Sequence, residues 1–159
     1  MKKQTWPNWL VYLVSVGIAL AVGALAALLT AEGMRAYATI NKPPLSPPAV
    51  VFPLVWTALF VLMGVSAARV YLAGGHAAGE ALRVYALQLF LNFGWTVLYF
   101  GFGLYLAAFV WLLILEAVIV VMLASFYAVD RPAGLLQIPY AVWVAFAGYL
   151  NLATYLLNG

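Results

Sequence analysis

The sequence predicts an all-α membrane protein, a bundle of five transmembrane helices with a structured loop between the first and second. Three observations carry that reading. Hydrophobic residues make up 68% of the 159-residue chain and charged residues only 7%, with a mean hydropathy of +1.08. Soluble domains carry about 25% charged residues, so this chain cannot clothe itself in a water-facing surface. Five apolar stretches each approach the roughly 20 residues needed to cross about 30 Å of hydrocarbon. Finally, Pro43, Pro44, Pro47, Pro48 and Pro53 gather in "NKPPLSPPAVVFPLVW", where missing donors and clashes with the preceding turn interrupt any helix. The length suits one domain covering residues 1–159.

The first span is expected over about Trp9–Thr30. Lys2 and Lys3 before it, and "ALA" at Ala24–Ala26, resemble parts of a signal peptide. The apolar run is too long for an h-region and continues past that site, which points to a retained span. Gly17, Ala21, Gly23 and Ala27 form two small-xxx-small pairs, permitting close helix approach within the bundle or between protomers. The loop Ala31–Pro48 follows. Loops longer than about 12 residues are usually lids or disordered, and Tyr37, Ile40 and Leu45 favour a lid.

The second span covers about Ala49–Ala73, the third Ala81–Phe100, the fourth Leu104–Ala128 and the fifth Ala133–Leu157. Their links, Gly74–Glu80, Gly101–Gly103 and Val129–Pro132, are short and force antiparallel neighbours. His76 reads as a solvated loop histidine. Glu116, midway along the fourth span, is costly in a bilayer and must face the bundle or a partner. A protonated carboxyl bonded to a neighbouring helix is favoured over a proton-linked or ligand-binding role. Pro53 and Pro139 can each kink a helix, but they fall on opposite membrane faces and cannot open one shared mouth.

Basic residues orient the bundle. Lys2, Lys3, Arg69, Arg83 and Arg131 lie on the N-terminal side, against Arg35 and Lys42 on the other. The positive-inside rule then puts the N-terminus in the cytoplasm and the proline loop and C-terminus outside, in what is expected to be a bacterial cell membrane. Trp6, Trp9, Tyr71, Tyr105 and Tyr127 fall near span ends, as an aromatic belt would. A net charge of +3 from so few charges points to no nucleic-acid partner, and without cysteine there is no disulfide, thiolate metal site or cysteine nucleophile. No metal-ligand cluster, nucleophile elbow or phosphate loop is evident, so no catalytic residue or metal site is assigned.

The remaining aromatic residues form stripes. Tyr85, Gln88, Asn92, Trp95 and Tyr99 recur at spacings of three and four on the third helix and therefore share a face. The fifth helix has Tyr140, Trp143, Ala147, Asn151 and Thr154, and the second has Phe52, Trp56, Phe60 and Met63. Polar groups in spans turn away from lipid. Interhelical packing accounts for any one of them. Three matching stripes favour an internal cavity whose aromatic walls suit a flat, largely apolar ligand.

The segments "NKPPLSPPAVVFPLVWTALFVLMGVSA", "QLFLNFGWTVLYFG" and "IPYAVWVAFAGYLN", in this order, resemble the signature of the TspO/MBR family of tryptophan-rich sensory proteins, which includes the mitochondrial translocator protein. The resemblance covers nearly the whole chain. It implies a five-helix bundle, often a homodimer, that binds porphyrins and, in some members, sterols and benzodiazepine-type ligands. It further implies a pocket of Tyr37 and Pro47 in the loop, Phe52, Trp56 and Phe60, Asn92 and Tyr99, and Trp143 and Ala147. The stripes add Trp95 and Asn151 as candidates. Leu45 stands where the family commonly has tryptophan, and Trp111 where many relatives have aspartate. The final "LATYLLNG" lacks the basic residue of the proposed cholesterol motif.

The function expected is that of a membrane receptor or sensor for porphyrins of the protoporphyrin IX or haem type, regulatory, with no required cofactor. The rivals are a transporter of tetrapyrroles or lipids, for which no internal repeat speaks, and an enzyme degrading porphyrin in light.

Overall fold

The computed structural model describes residues 6–159 and is all-helical there, so Lys2 and Lys3 of the orientation argument lie outside the described residues. Seven α-helices follow in order: α1 Asn8–Leu29, α2 Ala31–Tyr37, α3 Val51–Ala73, α4 Gly75–Thr96, α5 Tyr105–Val129, α6 Arg131–Leu135 and α7 Ile138–Asn158. A π-helical turn, Val97–Gly101, continues α4. Five helical stretches are long and apolar enough to cross a membrane: α1, α3, α4 with its π turn, α5, and α6 with α7. Helices satisfy their own backbone groups, which is what a bilayer interior demands. Their outer faces carry exposed apolar side chains such as Leu13, Ile18, Leu54, Phe90, Ile114 and Val142.

Local chemistry sets the helix ends. Thr30 closes α1, its hydroxyl donating to the Ala26 carbonyl at 2.8 Å. Pro53 sits in the first turn of α3 and Pro139 in that of α7, positions where no intrahelical N–H is missed. The kinks expected from them are therefore not the device used. The expected fifth span is instead divided at Leu136–Gln137, and Pro139 begins the second piece. The link expected over Gly74–Glu80 is also mostly helix. Gly74 and Gly75, at φ of 70° and 87°, reverse the chain in a left-handed conformation that glycine adopts without penalty. His76 consequently lies in the first turn of α4, exposed, 3.7 Å from Glu80.

The small-residue pattern of α1 is used in part within the bundle. Gly17 has nothing within 4 Å of an added Cβ, and Gly23 faces the Phe60 ring. The close contact with α3 is made by Gly64, whose Cα lies against the Val16 backbone. Gly94 likewise admits the Trp111 indole, which donates to the Leu91 carbonyl at 2.7 Å. Trp111 thus ties α5 to α4.

At the bundle end opposite the loop, Arg69 of α3 grips Asp130 at 2.6 and 3.1 Å. Asp130 also caps α6 by accepting from the Ala133 N–H at 3.0 Å. Hydrogen bonding from Arg69, aided by that N–H, holds the Asp130 carboxyl below the usual carboxylate range. Its contribution to stability is accordingly present above the ordinary carboxylate pKa and lost as pH falls through the lowered one. Asp130→Asn keeps an N-cap but loses the ion pair and is expected to cost about 0.5 kcal/mol at pH 7. The deficit against wild type should shrink in thermal melts below about pH 4.

Candidate functional site

The loop that separates α1 from α3 is a built lid. Its first part, α2, packs on the π turn so closely that Gly33 lies against the Phe100 carbonyl, leaving no room for a Cβ. The proline stretch then crosses to the end of α7. Asn158 accepts from the Asn41 N–H at 3.1 Å and donates to its carbonyl at 2.9 Å. Tyr149 donates to the Pro44 carbonyl at 2.9 Å. Between these ties, Pro43–Ser46 form a tight turn in which Leu45 takes a φ of 66°. Leu45 is 79% exposed and points away from the interior. Prolines stiffen this segment because their φ is already fixed.

Beneath the lid lies a cavity of about 380 Å³, within the usual range for small-molecule sites. All eleven candidate residues border it: Tyr37, Pro47, Phe52, Trp56, Phe60, Asn92, Trp95, Tyr99, Trp143, Ala147 and Asn151. The rings make a continuous wall. Trp56 stands 5.8 Å from Phe60, 6.0 Å from Trp95 and 6.2 Å from Tyr140, centroid to centroid. Trp95 stacks on Tyr99 at 5.5 Å, Tyr99 meets Tyr37 of the lid at 5.6 Å, and Phe52 meets Trp143 edge-on at 6.0 Å. Such separations are those of favourable aromatic pairs.

The polar members of the stripes have another job. Asn151 accepts from the Trp95 indole at 3.0 Å and donates to the Tyr105 carbonyl at 2.7 Å. Asn92 donates to Tyr140 at 2.9 Å, and Tyr140 donates to Gln88 at 2.8 Å. Tyr99 donates to Thr154 at 2.9 Å. These bonds lock α4 to α7, so packing explains most of the amide chemistry. Below the cavity Tyr85 packs against Phe126 and lies in solid core.

One donor of a cavity-lining side chain is left over. The Trp143 indole N–H is buried and has no partner, although buried polar groups are nearly always bonded. Glu116 borders no part of the cavity. The helix-to-helix bond expected of it is not made at Oε2, which is buried without a partner. Glu116→Gln is expected to leave ligand binding unchanged and to move stability by less than about 1 kcal/mol, read by titration and melting.

Sequence reasoning missed several lining residues. Gly23, Ala26 and Ala27 of α1 supply a wall, Gly23 and Ala27 having been read only as packing residues, and Lys42 and Ser46 stand at the mouth. Phe100 lines the cavity beside its neighbour Tyr99 because the π turn changes the helical register. Tyr105, expected in the interfacial belt, packs 5.2 Å from Tyr99 instead. Trp6, Trp9, Tyr71 and Tyr127 are exposed as a belt requires.

Five spans around a lidded aromatic cavity define a multi-pass membrane protein with an internal binding-type chamber. The chain belongs to the TspO/MBR family, whose model matches residues 15–156. It is 38% identical to the tryptophan-rich protein TspO of Chlorobaculum tepidum over 90% of this chain and 92% of that one. Identity to the tryptophan-rich sensory protein of Cereibacter sphaeroides is 34%, over 96% and 92%. Against the bovine translocator protein it is 37%, over 76% and 73%. The membrane sensor and translocator class is therefore that of this chain.

Proposed function

We propose that this protein is a membrane receptor that binds a porphyrin, of the protoporphyrin IX or haem type, in the lidded cavity and has a regulatory role. The observation that carries the reading is the lidded cavity of about 380 Å³ walled by the rings of Trp56, Trp95, Tyr99 and Trp143. A flat π-surface suits the rings of Trp56, Trp95 and Tyr99. Sterols and benzodiazepine-type molecules are further ligands of this chemistry, and a homodimer is the assembly proposed. Purified protein in liposomes tests the role. Saturable binding without flux or photoproduct supports a receptor, vectorial flux a transporter, and new absorbance bands formed only in light an enzyme.

The N-terminus is proposed to be cytoplasmic, with the lid outside. Ala77 and Ala36 are both exposed and sit at opposite ends of the bundle. In intact cells, a cysteine at Ala36 should react with an impermeant thiol reagent and one at Ala77 should not. The reverse pattern would invert the topology.

A further inference from the structure

Lys42 is, among the described residues, the one charged side chain lining the cavity. Its ammonium sits 5.9 Å over the Tyr37 ring, on the lid at the mouth of the cavity. The ion pairs of the described residues are Arg69–Asp130, His76–Glu80 and Arg83–Glu80. Lys42 therefore has no carboxylate partner. Ser46, at the same mouth, donates its hydroxyl to the Pro43 carbonyl at 2.7 Å. What the cavity offers a ligand is thus an apolar interior with a cation at the entrance.

We infer that Lys42 is a specificity-determining residue that anchors an anionic group, such as a carboxylate, of a flat apolar ligand whose body lies among the rings. The inference rests on the cavity being the ligand site and adds the charge that the ligand must carry. A neutral molecule of similar shape gains the aromatic contacts but leaves the ammonium unanswered. An anion gains a charge-assisted bond beside low-dielectric walls, where it is stronger than in bulk water. A phospholipid headgroup offers the same chemistry to a lysine near a membrane surface. The test must separate the two sources.

Protoporphyrin IX, which carries two carboxylates, and its dimethyl ester are titrated into the full chain in nanodiscs of zwitterionic lipid, following quenching of indole fluorescence. The diacid should bind roughly threefold to tenfold more tightly than the diester. The gap should narrow as salt is raised. Lys42→Met should close it by weakening the diacid, Lys42→Arg should keep it, and Lys42→Glu should reverse it. The Lys42 side chain is exposed, so melting of the variants should match wild type. Adding anionic phospholipid to the nanodiscs should leave the gap in place. Equal affinity for diacid and diester in wild type, or a preference that survives Lys42→Met, would overturn the anchor while leaving the cavity reading intact. So would a gap that anionic lipid abolishes, since the lysine would then serve the headgroup. Failure of both compounds to bind saturably would overturn the cavity reading itself.

Discussion

Replacing Trp56 and Trp143 together by alanine should weaken porphyrin binding by roughly a hundredfold. The two indoles come from different helices and border the same cavity, Trp56 against Trp95 and Trp143 against Phe52. Burying a large side chain against a ligand is worth about 1.5–3 kcal/mol, and each 1.4 kcal/mol is about tenfold in affinity. The losses need not add fully, because both rings would contact one ligand. Single Trp→Phe variants should lose only about threefold to tenfold, since a ring remains. Trp9, 66% exposed on α1, is the control whose alanine variant should bind as wild type. A folded double variant with undiminished affinity would put the binding site elsewhere.

Gly64 should be the most sensitive position for folding. A Cβ there would stand 2.7 Å from the Val16 nitrogen and 2.9 Å from the Ser15 carbonyl oxygen. Backbone cannot yield as a flexible side chain does, so α1 would have to move off α3. Overpacking typically costs 1–3 kcal/mol and occasionally more; Gly64→Leu, with four added carbons, is expected to cost about 3 kcal/mol or more. The consequence reaches the cavity, because α1 supplies the wall of Gly23, Ala26 and Ala27. Detergent-resistance melts should show a large loss for Gly64→Leu. Gly17→Leu should stay within about 0.5 kcal/mol, since nothing stands within 4 Å of it. Equal effects would contradict the α1–α3 contact described here.

The spans were legible because bilayer thickness imposes a length that composition alone reveals. The stripes were legible for a related reason: helical period puts Trp95 and Tyr99, or Trp143 and Ala147, on one face. All eleven candidate positions accordingly border one cavity. Three features lay outside such arithmetic. The π turn at Val97–Gly101 brings adjacent residues, Tyr99 and Phe100, to the same wall, and no three-four spacing anticipates that. The break at Leu136–Gln137 preceded the proline that suggested a kink. The glycines signalled only part of the packing. The conspicuous Gly17 faces open space, whereas Gly64, in a span read for its aromatic residues, makes the close approach. Which small residue meets a neighbour depends on tertiary geometry, and composition is blind to it.

The most direct measurement is a titration of the wild-type protein in nanodiscs with protoporphyrin IX, following indole fluorescence. Ligand seated among Trp56, Trp95 and Trp143 should quench much of the emission, saturably and with one porphyrin per chain. The quenching should fall sharply once Trp56 and Trp143 are both phenylalanine. Quenching that rises linearly without saturation, or that is the same in the double phenylalanine variant, would contradict a porphyrin site in the lidded cavity.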